Sequence, residues 1–263
     1  MQRYAIGIQY LGTAYHGWQR QNNKIPTVQA VLEAAVSQVA NEPVELVAAG
    51  RTDKGVHAFE QVAHFDTNAV RDPHNWLRGI NALVPDDVSV SWVHPVSQSF
   101  HARFSAQRRT YRYFLSCGVV SPALLMNRAA WVYGDLALAP MQQAARYLVG
   151  RHDFSAFRAA DCQAHSPVKT LERLSVEQTG NLFVFEAQAD GFLMHMVRNL
   201  VGVLLAVGKK EYPPEWARQV LQRRDRRHRG VAMPPQGLYM AAVEYDSLFG
   251  LPQAPQWNLE MFC

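Results

Sequence analysis

In each half of the chain, short strand-like runs alternate with amphipathic helical stretches in one order, and that order restricts the fold more than anything else in the sequence. In the first half, residues 4–10 read as a strand. Residues 27–40 read as a helix, with Val28, Val31, Leu32, Ala35 and Val39 at helical spacing and Thr27 placed to cap it. Strands at 45–49 and 61–65, a helix at 72–83 and a strand at 88–93 follow. In the second half, 110–115 reads as a strand and 140–148 as a helix. A hairpin joins 171–178 to 182–189 across Thr179, Gly180 and Asn181. A helix then carries Val197, Leu200, Val201, Leu204 and Leu205, a shorter one carries Trp216 and Val220, and a strand closes at 237–245. The expectation is an α+β fold of two pseudo-related ferredoxin-like (RRM-like) β-α-β-β-α-β halves. The sheets would be mostly antiparallel, with a central cleft as the default place for a site. The halves would be residues 1–105 and 106–263, with 100–106 as hinge or floor.

The composition supports a folded chain: 48% of the 263 residues are hydrophobic and only 18% charged. Cys117, Cys162 and Cys263 are odd in number and far apart, which argues against a disulfide framework or a zinc ribbon. The ten histidines show no metal-ligand spacing, and no nucleotide-binding glycine loop is present, so neither a metal nor a cofactor is expected. The first residues lack the pattern of a signal peptide, and the longest apolar run, 200–207, is too short for a bilayer. A cytoplasmic protein without a membrane anchor is expected. Charge is uneven: net −2 over residues 1–100 and +6 over 101–263. That asymmetry suits a polyanionic partner, though a basic protein without one has the same composition.

Five stretches could carry chemistry. Residues 50–58 form a polar loop bounded by glycines between apolar runs. It is either a tight turn or a site, because Arg51, Asp53, Lys54 and His57 crowd into seven residues and an arginine beside an aspartate keeps the carboxylate ionised, fit to act as nucleophile or base. Residues 10–21 place aromatics and two glycines after a strand, which a hairpin loop burying Trp18 would equally explain. Residues 100–113 interleave basic and aromatic side chains, as a groove that tracks a nucleic-acid backbone and stacks its bases would. Strand alternation puts Tyr111 and Tyr113 on one face, where both could instead be core. Arg198 borders the apolar stripe of its helix, either snorkelling or paired with a carboxylate for which Asp53 is a candidate. The basic run 223–229 is a solvated helix end or a phosphate-contacting patch.

The blocks YLGTAYHGWQRQ, AAGRTDKGVHAFEQVAHF, FHARFSAQRRTYRY, DFSAFR, HMVRNLVG and GLYMAAVEY, in this order and over nearly the whole chain, resemble the tRNA pseudouridine synthase A family. The resemblance implies conversion of uridine to pseudouridine at positions 38, 39 and 40 of the tRNA anticodon arm by a homodimer needing no metal or cofactor. It implies that Asp53 is the nucleophile, that Tyr111 lies against the target uracil, and that Arg198 pairs with the aspartate. Leu238 would pack in the pocket and Arg51 would help flip and hold the nucleotide. Met240 stands where the family often has a second leucine, and Lys54 occupies a variable position. Two segments match regions that touch tRNA: Phe100, His101, Ala102, Arg103 and Phe104, and Asp161, Cys162, Gln163, Ala164 and His165. The competing readings are an RNA-binding module without chemistry and a small-molecule enzyme on the same fold.

Overall fold

The computed structural model describes residues 1–21, 25–228 and 230–252, and Arg229 of the basic run and Cys263 lie outside them. The chain divides into two compact units, one of residues 1–107 with 239 onward, the other of residues 108–238. In chain order the first unit contributes β1 (Gln2–Tyr10), α1 (Val28–Ala40), β2 (Val47–Ala48), β3 (His57–Thr67), α2 (Pro73–Asn81) and β4 (Val88–Val96). The second contributes β5 (Arg108–Gly118), β6 (Ala130–Tyr133), α3 (Leu138–Arg146), β7 (Gly150–Asp153), β8 (Val168–Thr179), β9 (Leu182–Ala189), α4 (Met196–Gly208) and α5 (Trp216–Arg223). The strand β10 (Leu238–Glu244) comes last.

The first unit shows the expected β-α-β-β-α-β order, with sheet order β4-β1-β3-β10 and β2 on β3. β1 runs antiparallel to both β3 and β4. β10 joins β3 in parallel, Tyr239 beside His57 and Met240 beside Ala58. The closing strand thus groups with the first unit, although chain order alone puts it in the second half. β3 starts four residues earlier than its apolar run and is buried at every position but Asp66; Phe65 packs on Trp76 of α2 on one face, and His64 meets Phe100 and the Ala102 amide on the other. A strand covered on both faces has no alternation to read. Tyr4, Phe65 and Trp76, all nearly fully buried, interlock at centroid distances of 5.3–5.6 Å. Asp72 caps α2, accepting from the His74 amide at 2.8 Å, with Pro73 in the first turn. Thr27 does hold the N-cap position of α1 in extended conformation. Its hydroxyl makes no cap bond, however, and lies buried without a partner among the described residues.

Glu60 points from β3 into the interior, where the Trp92 indole N–H donates to its carboxyl at 3.2 Å. Burial pushes that carboxyl up to about 7. The unfolded chain releases the same proton near pH 4.5. The stabilising contribution is therefore fully present below pH 4.5 and is lost as pH rises to 7, by about 3 kcal/mol. Glu60→Gln is expected to flatten this slope in urea unfolding between pH 4.5 and 8; an unchanged slope would place the proton on another group.

The second unit has sheet order β5-β9-β8-β7, with β6 parallel to β5. β8 and β9 form the expected hairpin, and Gly180 takes a φ of +55° that turns it. α4 is buried on nearly every side and forms the centre of this unit. β6 and β7 are four-residue strands that no periodicity announced, and without β10 the unit lacks the expected last strand.

Candidate active site

Asp53 sits half-buried in the loop before β3, with Arg51 and Lys54 exposed on either side. The loop is a turn with a built-in constraint. The Val56 amide donates to the Asp53 carbonyl at 3.1 Å, and Gly55 takes φ +77°, the region that type II turns reserve for glycine. What distinguishes this loop from an ordinary turn is how the residue 10–18 segment grips it. The Trp18 amide donates to the Thr52 carbonyl at 3.0 Å, and the Tyr10 and Thr52 hydroxyls lie 2.8 Å apart. The Gly12 amide donates to His57 Nδ1 at 2.9 Å, so the ring carries no proton there. A Cβ on Gly12 would fall 1.9 Å from the Val56 carbonyl oxygen, and one on Gly17 would fall 2.5 Å from that of Thr52. Only glycine permits so close an approach. Trp18 is buried, as a hairpin loop would have it. The same segment also fixes the aspartate loop, which neither stretch revealed by itself.

In the second unit, Tyr111 and Tyr113 lie on one face of β5, as alternation requires, and are both buried. Their environments differ. Tyr113 donates its hydroxyl to the Pro234 carbonyl at 2.8 Å, and burial raises its pKa well above the ordinary tyrosine value, with the nearby Arg198 charge opposing. It is a neutral structural donor. Tyr111 has Phe192 edge-on at 5.1 Å and stays 9% exposed. Arg198, half-buried on α4, donates Nε–H to the Met233 carbonyl at 2.6 Å, while the Met233 amide donates to the Arg198 carbonyl. Gly202 lets this strap close on α4, since a Cβ there would fall 2.2 Å from the Val231 carbonyl oxygen. Gly237 lies against the Tyr113 ring, with its missing Cβ 2.6 Å from Cζ. Residues 233–238 therefore tie Arg198, Tyr113 and the nearly buried Leu238 into one framework.

The two segments expected to touch tRNA are built differently. Phe100 and Ala102 are fully buried: Phe100 packs on His64, Tyr245 and Phe249, and Ala102 is held by His64 Nδ1 and the Tyr245 hydroxyl. Their side chains support the turn. His101 is half-buried against Phe104, Arg103 is exposed, and Phe104 is 75% exposed. Of 161–165 all but Cys162 are exposed. Among the described residues no cluster of histidines, cysteines or carboxylates could hold a metal ion, and no helix is long and apolar enough to cross a membrane.

A family model described as tRNA pseudouridine synthase matches residues 6–105 and 144–246. The tRNA pseudouridine synthase A of Alcanivorax borkumensis is 50% identical over 97% of this chain and 96% of its own length. That of Coxiella burnetii is 48% identical over 97% of each. Among solved structures, an archaeal Nop10–Cbf5 complex of the box H/ACA particle aligns with 77% of this chain and 44% of its own, at a TM-score of 0.37 and 13% identity.

Proposed function

The chain belongs to the tRNA pseudouridine synthase family, and we propose that Asp53 is the nucleophile with which it isomerises uridine to pseudouridine at positions 38, 39 and 40 of the anticodon arm. The reaction breaks the N1–C1′ bond and forms C5–C1′; C5 loses its proton and N1 gains one. The observation that carries the assignment is the clamped loop. The half-buried Asp53 stands in a loop whose backbone is held through Thr52, Val56 and His57, and this pre-organises it for covalent work in a way a solvated turn is not. The carboxylate serves attack at C1′, attack at C6, or proton removal on a glycal route. Arg51, exposed two residues away, is positioned to take a phosphate as the nucleotide leaves the stack. Arg198 keeps the aspartate ionised, Leu238 lines the uracil pocket, and Tyr111 stacks on the detached base and takes its C5 proton. The Tyr111 ring meets Phe192 edge-on, which supports the stacking role, and Tyr113 is the structural tyrosine of the pair, bonded to the Pro234 carbonyl. The exposed His101, Arg103 and Phe104 and the 161–165 segment meet the RNA. The enzyme works in the cytoplasm as a homodimer, without metal or cofactor. The dense polar loop and the tRNA-enzyme relatives disfavour a non-catalytic RNA-binding module.

The test is release of tritium from tRNA labelled at uridine C5, with product sites mapped and no metal or nucleotide added. Release from the anticodon arm is expected, and tight binding without release would overturn the proposal. Tyr111→Phe keeps the stacking surface but loses the hydroxyl. It should lower kcat about a hundredfold with KM little changed; wild-type turnover would remove the hydroxyl from the chemistry.

A further inference from the structure

The geometry points to a second RNA contact on the second unit: an arginine-lined concavity between α5 and the edge strand β7 that holds substrate phosphodiesters away from the reacting nucleotide. The concavity has a volume of about 380 Å³ and is lined by Tyr147, His152, Asp153, Arg218 and Arg224, among others. The Arg218 guanidinium lies 4.1 Å from the centre of the Tyr147 ring, which steadies it while its N–H groups can donate to a phosphate. Arg224, the residue after α5, adopts a left-handed backbone with φ +54°, where glycine is the usual occupant. It reaches Asp153 at 3.5 Å and remains two-thirds exposed.

Around the rim, Arg151, Arg223 and Arg226 are exposed, and none has an ion pair among the described residues. Residues 146–158 and 215–227 together hold eight arginines against three carboxylates, two of which already engage Arg224 and Arg227. A solvated helix end has no need of a concavity or of a stacked guanidinium. A polyanion uses both, and charges of one sign lining a cleft concentrate it. Within this unit β7 is three strands from β5, roughly 14 Å at the usual spacing, so the ligand here is backbone remote from Tyr111.

This inference rests on the proposed reading of the chain as a tRNA enzyme. The experiment compares wild type with R151Q/R218Q/R224Q, R151K/R218K/R224K and Asp153→Asn, measuring tRNA affinity over a salt series and tritium release at saturating tRNA. The glutamine variant is expected to bind about tenfold more weakly near 0.1 M salt and to lower the slope of log K against log salt by about 2, with kcat unchanged. The lysine variant should keep the slope. Asp153→Asn should bind more tightly, a gain that no folding defect imitates. Unchanged affinity and slope in the glutamine variant, or an equal loss in the lysine variant, would overturn the assignment and leave the patch to another partner or to structure. A wild type that binds tRNA through these arginines but releases no tritium would instead overturn the catalytic reading and leave this contact standing.

Discussion

Asp53→Ala is expected to abolish pseudouridine formation, with kcat falling at least about a thousandfold, while tRNA binding stays within a few-fold of wild type. Losing the group that forms the covalent bond leaves only binding and positioning, and losses of this kind far exceed those of a removed contact. The Trp18–Thr52 and Val56–Asp53 backbone bonds and the Tyr10–Thr52 hydroxyl pair do not involve the carboxylate. A Tm close to wild type checks that the variant keeps the fold. C5-tritium release reads the chemistry and filter retention of tRNA reads the binding. Near-wild-type release would return Asp53 to the status of a turn residue. Loss of binding in step with loss of release would make it a contact and not a nucleophile.

Gly12→Ala is the second large effect, from a residue that touches no substrate. Its new methyl would meet the Val56 carbonyl oxygen at 1.9 Å, backbone against backbone, with no flexible side chain to yield. Either the 10–18 segment or the aspartate loop must move. A shift of about 1 Å at a reacting group costs on the order of a hundredfold in rate, and the overpacking itself costs about 1–3 kcal/mol of stability. The expected signature is a fall in kcat with tRNA affinity retained and a lowered Tm. Retained kcat would show that the loop finds its geometry without the clamp.

The elements that sequence periodicity exposed are those with one buried and one wet face. α1 and β8 are such elements, and their expected spans fall within a residue or a few of the observed ones. Periodicity shows β3 only from residue 61, because its first four residues are also buried and nothing there alternates. β7 is a glycine and three polar residues paired to one edge of β8, a strand made by its partner and not by its own composition. At the site, the crowding of Arg51, Asp53 and His57 was visible in the sequence, and the family resemblance supplied their roles. The clamp was not visible. Gly12 and Val56 are 44 positions apart, and a glycine required by a distant carbonyl reads like any loop glycine. The two glycines of 10–21 were the one signal that could have suggested it. The family resemblance assigns the whole 100–104 segment to tRNA contact, and neither it nor the basic-aromatic pattern says which side chains point inward; burial separates Phe100 and Ala102 from Phe104.

The placement of β10 has a consequence for how the protein is made. Tyr239 pairs with His57, and its ring lies 4.6 Å from the imidazole that receives the Gly12 amide. The wall of the aspartate loop is therefore finished by a segment translated some 180 residues after it. Domains generally fold as they emerge from the ribosome, yet here the N-terminal unit must wait for nearly the whole chain. A nascent chain holding Asp53 is not a partial enzyme, and catalytic competence arrives only near the end of synthesis.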